Sequence, residues 1–191
     1  AATANGEVVV NGMSPSKRNN KFANSGIVVE INVDQDIPKY EQFGALTGLE
    51  YQKNLERIAF TSGGRTQTAP AQRLTDFVEG KLSSTLNETS YQPGLNSVPL
   101  HSLLPKLIGS RLRKGFEAFG RKMNGYYTEE ANVIGVESRT SSPVNIPRTE
   151  TLEHPEISNL FPCGEGGGYA GGIISAAMDG ERCAEAAVVG L

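Results

Sequence analysis

The spacing of the hydrophobic positions changes several times along the chain, and each change predicts an element of secondary structure. Residues 7–10 and 26–33 are rich in β-branched side chains, and each run predicts a β-strand. Residues 45–60 instead carry apolar side chains three and four positions apart, which is the spacing of a half-buried helix. The Ser62-Gly63-Gly64 sequence is expected to end this helix.

The middle of the chain predicts two more helical stretches with a loop between them. A short helix is predicted around residues 74–78, with Pro70 in its first turn and Gly80 closing it in left-handed geometry. Residues 83–99 are rich in Ser, Thr, Asn, Pro and Gly and predict a loop. The helical spacing returns over residues 103–123.

This last helical stretch contains Gly109 and Gly115, each of which costs about 1 kcal/mol in a helix interior. We therefore expect two helices, or a bend near Gly115. The basic side chains of the stretch admit two interpretations, a phosphate-binding face and a solvated helix face, and we favour the solvated face. These residues are Lys106, Arg111, Arg113, Lys114, Arg121 and Lys122.

Beyond residue 125 the pattern changes to extended segments around a glycine-rich loop. Residues 132–139 alternate like a strand, and residues 140–147 form a hydroxyl-rich break that leads into another extended stretch. Residues 159–164 predict a short buried strand, residues 165–172 a glycine-rich loop, and residues 173–186 a helix.

Composition narrows the class of protein. The 191 residues carry a formal net charge of −3, without the basic character of a nucleic-acid-binding domain. No apolar run approaches the roughly 18–20 residues of a membrane span, and the first residues lack a secretory signal, so we expect a cytoplasmic protein. Cys163 and Cys183 form neither a disulfide framework nor a metal-ligand pattern. Because the chain opens with Ala1 instead of Met, we expect that processing or trimming removed a preceding segment.

The glycine-rich loop has the clearest chemistry. Six of the nine residues from 164 to 172 are glycine, more than close packing of a helix against a sheet requires. A backbone without Cβ atoms can approach a phosphate or a flavin ring, and the N–H groups at the start of the following helix favour an anion. We therefore favour contact with a cofactor over the alternative, a loop that only permits tight packing.

Residues 166–171 also match the dinucleotide-binding pattern G-x-G-x-x-G. That pattern requires a second strand ending in an acidic residue that holds the ribose. Here Glu185 still lies within the predicted helix, and the sequence ends at Leu191. We therefore expect the loop to belong to a closing β–α unit at residues 159–189, and not to the opening unit of a Rossmann domain.

Several segments resemble one family of flavoproteins. The longest are residues 136–144 and 161–173, with residues 152–157 between them, while residues 9–14 and 23–26 resemble the middle domain of that family. Through these segments the chain resembles FAD-dependent dehydrogenases of the NAD(P)/FAD-dependent oxidoreductase family, relatives of the glutathione-reductase and fumarate-reductase flavoproteins. The resemblance extends over most of the chain.

The resemblance implies that the glycine-rich loop is the second FAD motif of the family. Glu165 would hydrogen-bond the ribitol or lie beside the pyrophosphate, and Gly172 and Ile173 would begin the helix whose N-terminus faces the flavin. The implied cofactor-binding residues are Gly164, Glu165, Gly166, Gly168, Gly171, Gly172 and Ile173.

The resemblance also implies that the turn at residues 139–143 passes close to the isoalloxazine ring and lines the substrate side. The substrate-side candidates are Arg139, Ser141, Ser142 and Tyr169. Two roles are open for Arg139, namely orienting an anionic substrate and forming a structural ion pair with Glu137 or Glu165. Two roles are also open for Tyr169, namely contact with flavin or substrate and anchoring of the loop.

No catalytic residue is assigned, because in flavoenzymes the cofactor performs the redox chemistry. We interpret His101 and His154 as surface or capping residues, Cys163 as a small buried residue at a strand end, and Cys183 as a packing residue. The sequence contains no C-x-x-C pair for a dithiol–disulfide relay.

The predicted fold is α+β or α/β in two parts. Residues 1–125 would form a mixed, substrate-side middle domain, and residues 126–191 the C-terminal part of a three-layer FAD-binding domain. Because members of the family begin with a strand–GxGxxG–helix unit that this sequence lacks, we expect that the N-terminal Rossmann unit is missing.

Two functions from different classes are open. The first is a C-terminal fragment of a flavin-dependent oxidoreductase, which holds the ribitol and isoalloxazine part of FAD and acts on a small-molecule substrate, with NAD(P)H as a further candidate partner. Such a fragment would bind FAD weakly or not at all and would be inactive alone. The second is a non-enzymatic α+β binding module that has lost the cofactor.

Overall fold

The computed structural model describes residues 4–189, which form two compact units. Unit 1 comprises residues 4–38 and 53–138, and unit 2 comprises residues 39–52 and 139–189. The helices are α1 (Val33–Asp36), α2 (Thr47–Ser62), α3 (Leu74–Glu79), α4 (Leu100–Leu103), α5 (Lys106–Lys122) and α6 (Ile173–Val189), with a 3₁₀ segment at Pro38–Leu46. The strands are β1 (Ala69–Arg73), β2 (Leu95–Ser97) and β3 (Asn132–Ile134). Helices with a small mixed sheet make this an α+β chain.

The sheet of unit 1 has β1 at its centre. Strand β1 runs parallel to β2, with Ala69 opposite Leu95, and antiparallel to β3, with Ala71 opposite Ile134. The loop predicted over residues 83–99 therefore contains a strand, β2. Strand β3 confirms the first part of the extended segment predicted at 132–139, and it ends at Ile134.

Pro70 lies in β1 and not in the first turn of a helix, so that part of the prediction is wrong. Pro70 lies opposite Asn96 in the parallel register, but the antiparallel register begins only at Ala71. The Pro70 nitrogen, which has no hydrogen to donate, therefore precedes the residues paired with β3. The Pro70 carbonyl still accepts a hydrogen bond from Gly135 N at 3.0 Å.

The short helix itself is confirmed as α3, which follows β1 directly. It ends at Gly80 in the left-handed conformation (φ 74°), whose N–H is donated to Asp76 O. Its inner face supplies Phe77, which is fully buried and meets the Phe116 ring of α5 edge-on at 5.8 Å between centroids. The core around this pair consists of Leu74, Phe77, Val78, Val98, Leu100, Leu104 and Phe116.

Helix α5 runs without interruption through Gly115, and the break in the helical stretch lies instead at Leu104-Pro105. Proline removes a backbone donor and disfavours the helical conformation of the residue before it, so it ends α4 where two isolated glycines do not end α5. Gly109 has a packing role, because a Cβ there would lie 3.1 Å from the His101 carbonyl oxygen.

The strands predicted at residues 7–10 and 26–33 are wrong. Val8, Val9 and Val10 are all buried, and Val8 N and Val10 N donate to two different segments, at Glu56 O and Val136 O. Residues 27–31 alternate between half-buried and exposed side chains as a strand would, but no ladder pairs them within the described part of the chain. A run of β-branched residues favours an extended backbone, but it forms a β-strand only when another segment pairs with it.

Unit 2 contains the 3₁₀ segment, the first turns of α2, a long irregular stretch and helix α6. The helix predicted over residues 45–60 is confirmed as α2, which begins at Thr47 and ends at Ser62. The helix predicted from residue 173 is confirmed as α6. The strand predicted at residues 159–164 is absent from residues 4–189, since Asn159 (φ 62°) and Gly164 (φ 65°) turn the backbone there.

The division of the chain at residue 125, predicted from the sequence, stays a prediction about domains. The compact units meet along the sequence at residues 38/39, 52/53 and 138/139. Across residues 4–189, none of the helices combines the length and the apolar character needed to cross a bilayer.

Candidate functional site

The glycine-rich loop of unit 2, residues 164–172, is a series of turns that leads directly into α6. Tyr169 N donates to Gly164 O and Gly168 N donates to Glu165 O, both at 3.0 Å, so the loop folds back on itself. Gly164 (φ 65°) and Gly168 (φ 85°) adopt left-handed backbone conformations that other residues rarely adopt. Helix α6 then begins at Ile173.

The segment at residues 142–146 lies against this loop. Ile146 N donates to Gly167 O at 3.1 Å, and the Asn145 side-chain amide donates to Gly168 O at 3.3 Å. A Cβ on Gly168 would lie 2.6 Å from Val144 O, so only glycine fits there. Packing and backbone conformation therefore account for Gly168 without any ligand.

Three other glycines of the loop lack such a reason. A Cβ on Gly166 would meet nothing within 4 Å, one on Gly171 would lie 3.8 Å from Thr140 O, and one on Gly172 would lie 3.4 Å from the Ser175 hydroxyl. None of the three has a left-handed φ. Neither crowding nor conformation requires glycine at these positions, and they leave backbone open to an incoming group.

The start of α6 adds backbone donors beside these glycines. The first N–H groups of a helix have no carbonyl partner within it, and the helix dipole makes that end positive. Ser175 takes part in the cap, since its hydroxyl accepts from Gly172 N at 3.1 Å and donates to Gly172 O. Ile173 and Ile174 are 90% and 71% exposed, so two apolar side chains lie open at the same end.

A buried ion pair, Arg148–Asp179, holds the loop to α6, and we call it the clamp. The guanidinium donates Nη1 to Asp179 Oδ2 at 2.9 Å and Nη2 to Oδ1 at 2.8 Å, and both side chains are about nine-tenths buried (10% and 9% exposed). Asp179 Oδ2 also accepts from Gly164 N at 2.9 Å, and Arg148 Nη1 donates to Pro162 O. The clamp thereby fixes the backbone immediately before the glycines.

The electrostatics of the clamp follow from these contacts. Hydrogen bonds from Arg148 and from Gly164 N lower the pKa of Asp179 to about 2, against the effect of burial. Sequence reasoning missed the pair entirely. Asp179 in the interior of a predicted helix was the available signal, since aspartate is a poor helix former and its presence there favours a polar partner.

Tyr169 lies over the clamp. The Arg148 guanidinium carbon is 3.6 Å from the centroid of the Tyr169 ring, and the Tyr169 hydroxyl donates to Ile146 O at 2.7 Å. These are the contacts of a loop anchor, one of the two roles left open for this residue. Its role on the substrate side stays a prediction.

The other substrate-side candidates lie on the segment next to the loop. Arg139 and Ser141 are exposed, and the backbone between them approaches Gly171 through Thr140 O. The Ser142 hydroxyl is engaged with backbone, since it donates to Val144 O at 2.8 Å. The structure therefore brings residues 139–142 beside the glycines that it leaves open. Among the implied cofactor-binding residues Gly164 is buried, and the exposed ones are Glu165, Gly166, Gly168, Gly171, Gly172 and Ile173.

The cysteines and histidines occupy the following positions. Cys163 is exposed, so its interpretation as a buried residue at a strand end is wrong, because the chain turns there and no strand covers the thiol. Cys183 is buried on α6, as expected for a packing residue. His101 is half-buried against the fully buried Gln72, and His154 Nδ1 accepts from Glu156 N.

Over residues 4–189, no group of three or more His, Cys, Asp or Glu side chains is placed to hold a metal ion.

Unit 1 contains a groove of about 270 Å³ between residues 27–30 and helix α5. The lining of the groove is largely apolar, with Ile27, Leu112 and Phe119. The charged residues Glu30 and Arg111 also line it. Arg111 is engaged there, since its Nη1 donates to Glu30 O at 2.9 Å and to Asp36. The groove carries no group of side chains suited to catalysis, and the glycine-rich loop remains the better candidate site.

Comparison with known proteins gives two matches. Residues 1–140 match the model of a family described as "FAD-dependent protein, C-terminal domain-like". An uncharacterized protein of Clostridium beijerinckii (strain ATCC 51743 / NCIMB 8052) is 39% identical over 187 residues, which cover 97% of this chain and 34% of that protein. The chain thus spans about a third of the length of this relative.

Proposed function

Because the chain belongs to the FAD-dependent protein, C-terminal domain-like family, we propose that it is part of a flavin-dependent oxidoreductase and that its glycine-rich loop holds the ribitol and isoalloxazine part of FAD. The observation that carries this proposal is the set of open glycines, Gly166, Gly171 and Gly172, in the loop that leads into α6. Family membership supports a flavoprotein, and we propose a dehydrogenase activity for it.

The residues present fit a flavin. Loop backbone without Cβ atoms provides a surface that a planar ring or a phosphate can approach closely. The N–H groups at the start of α6, from Ile173 onward, would donate to the electron-rich edge of the ring and stabilise the negative charge of its reduced form. The exposed Ile173 side chain would face an apolar surface.

Further residues would orient the bound groups. Glu165, exposed at the first turn of the loop, would accept hydrogen bonds from ribitol hydroxyls. The exposed Arg139 and Ser141 would contact a small-molecule substrate, Arg139 through a carboxylate or another anionic group. FAD, when bound, supplies hydride and electron transfer, and the chain supplies position and charge.

The clamp would support this site without touching flavin or substrate. It ties Gly164 and Pro162 to α6, so the loop and the helix that would donate to the flavin keep one arrangement. A site held by supporting contacts of this kind loses less free energy to ordering when its ligand binds.

The experiment is to measure flavin in the protein as its cells make it, expressed from the complete coding region. Protein purified without added flavin is denatured, and the released cofactor is identified by chromatography and by its absorption and fluorescence. We expect FAD in near-stoichiometric amount, and little FAD bound by the isolated 191-residue chain. A complete, folded protein that contains no flavin and takes up none would contradict the proposal and would favour the binding module.

A further inference from the structure

Two cysteines lie at the base of the glycine-rich loop. Cys163 immediately precedes the loop and is exposed, and Cys183 lies on α6 one turn after Asp179, at 3% exposure. These are the only two cysteines in the sequence. Twenty residues separate them along the chain, so no short sequence motif marks them as a pair.

The clamp brings the two positions together. The Cys183 thiol points at Pro162 O, 3.8 Å away, and Pro162 is bonded to Cys163. Arg148 Nη1 donates both to Pro162 O at 2.9 Å and to Cys183 Sγ at 3.3 Å. The same guanidinium therefore fixes the backbone next to one cysteine and the sulfur of the other.

The charges around Cys183 follow from these contacts. Burial raises the pKa of the Cys183 thiol, the positive charge of Arg148 opposes that rise, and Asp179 and Cys163 add to it. The Cys183 sulfur lies 3.8 Å from the oxygen of the peptide group that joins Pro162 to Cys163, so a turn of the Cys163 side chain toward α6 would bring the two sulfur atoms together.

We propose that Cys163 and Cys183 are a redox-active thiol pair, which closes to a disulfide by exchange with a small-molecule disulfide. The proposal rests on the contacts of the clamp, on the burial of Cys183 and on the exposure of Cys163, and it does not depend on the proposed flavin function. The closed disulfide would join the residue before the glycine-rich loop directly to α6.

The two cysteines have different roles in the exchange. Cys163 is accessible, so its thiolate attacks one sulfur of the small disulfide, forms a mixed disulfide and releases one small thiolate. Cys183 loses its proton to solvent or buffer and attacks the Cys163 sulfur; the positive charge of Arg148 opposes the rise in the Cys183 pKa that burial and Asp179 cause. The second small thiolate then leaves. Two protein thiols are oxidised to one disulfide, and one small disulfide is reduced to two thiols.

The test uses glutathione disulfide on the reduced, folded chain at low protein concentration. After acid quenching and alkylation of free thiols, intact mass and peptide mapping identify the products. We expect loss of two hydrogen atoms and a cross-linked peptide that contains both cysteines. Cys183 acts on the adduct as an internal thiol, at an effective concentration of about millimolar. At micromolar glutathione, the amount of Cys163–Cys183 disulfide should therefore exceed the amount of glutathione adduct on Cys163 at least about tenfold.

Single variants separate the two roles. C183S should keep the glutathione adduct on Cys163, because nothing displaces it, and C163S should remain unmodified because Cys183 is buried. If C183S does not fold, C183A together with the wild-type peptide map shows whether Cys183 displaces the glutathione from Cys163. In the control C163S/E181C, a new thiol is placed at an exposed position of α6 that does not face Cys183, and its adduct should persist.

Two results would overturn the proposal. One is a wild-type chain that accumulates the Cys163 adduct to the same extent as C183S. The other is oxidation that yields only disulfides between separate chains, seen as dimers on a non-reducing gel that disappear on dilution.

Discussion

The two compact units hold their structure by different means. Unit 1 buries two aromatic rings, Phe77 and Phe116, within a cluster of aliphatic side chains beside a three-stranded sheet. Within the described part of unit 2, strands are absent, and the loop is attached to α6 through the buried Arg148–Asp179 pair. Apolar burial tolerates many side chains of similar volume, whereas a buried ion pair depends on both of its partners.

The two units also differ in how far the apolar side chains of their helices are buried. Ile173, Ile174, Met178 and Val188 of α6 are 59% exposed or more. In unit 1, Phe77 of α3 and Phe116 of α5 are buried. Unit 1 therefore contains the hydrophobic core of the kind that stabilises a domain, while unit 2 presents a shaped loop and an apolar helix surface. Stability and the candidate site are thus largely assigned to different parts of the chain.

The largest expected effect is in the core of unit 1. Phe77→Ala removes a fully buried ring and its edge-on contact with Phe116, and it should lower the free energy of unfolding by about 4 kcal/mol. Urea unfolding followed by circular dichroism measures this change. Leu82→Ala, at a side chain that is 60% exposed, is the control and should change stability by less than about 0.5 kcal/mol. Equal effects of the two substitutions would refute the assignment of the core.

The next effect is in the clamp. Asp179→Asn leaves Arg148 buried without its counter-charge and should destabilise unit 2 by about 3 kcal/mol. Hydrogen exchange should show faster exchange of amides in residues 164–172 and in α6, with the β1 amides of unit 1 unchanged. Glu181→Gln, at an exposed position of the same helix, is the matched control. Uniformly faster exchange in both units would contradict a clamp that acts locally.

The clamp also predicts a dependence on pH. The pKa of Asp179 is about 2 in the folded chain, below its ordinary value of 3.8, so the carboxylate contributes stability above that ordinary value. This contribution should be constant from neutral pH down to about pH 4 and should decrease as the pH falls toward 2. The unfolding free energies of wild type and Asp179→Asn, measured from pH 7 to 2, should converge at the acid end. A difference that stays constant to pH 2 would refute this.

A smaller change in stability is expected when alanine replaces a glycine that the fold requires, and almost none when it replaces an open glycine. Gly168→Ala adds a Cβ at φ 85° that would lie 2.6 Å from Val144 O, and it should destabilise unit 2 by about 2 kcal/mol. Gly166→Ala should change stability by less than about 0.5 kcal/mol, because its Cβ meets nothing within 4 Å. Thermal unfolding of the two variants compares them directly, and a larger loss for Gly166→Ala would contradict the geometry.

Local sequence signals predicted the helices well. The periodic apolar positions predict α2 within two residues at each end, and Gly80 predicts the end of α3 because only a residue without Cβ adopts that conformation freely. The glycine-rich loop followed by a helix beginning at Ile173 was also predicted. Each of these signals is encoded within a few neighbouring residues.

The strands were predicted poorly because a strand depends on a partner, and that partner is often far away in the sequence. Residues 7–10 are extended and buried, yet their hydrogen bonds go to two unrelated segments. The clamp was missed for a related reason. Arg148 and Asp179 are 31 residues apart. An aspartate within a helix favours a polar partner, but it does not indicate which residue that partner is. The burial of the Arg148–Asp179 pair and its pairing across a long stretch of sequence can be seen only in the three-dimensional structure.

The most direct test of the central claim is flavin occupancy in two glycine variants of the complete protein. Gly166→Val adds a side chain at an open position of the glycine-rich loop. Gly180→Val is the matched control, since a Cβ at Gly180 also meets nothing within 4 Å but lies within α6. We predict that Gly166→Val retains its fold and loses flavin affinity at least about tenfold, or about 1.4 kcal/mol, while Gly180→Val binds flavin as wild type does. Full occupancy in Gly166→Val, measured by flavin absorbance per folded protein, would contradict a flavin site at this loop.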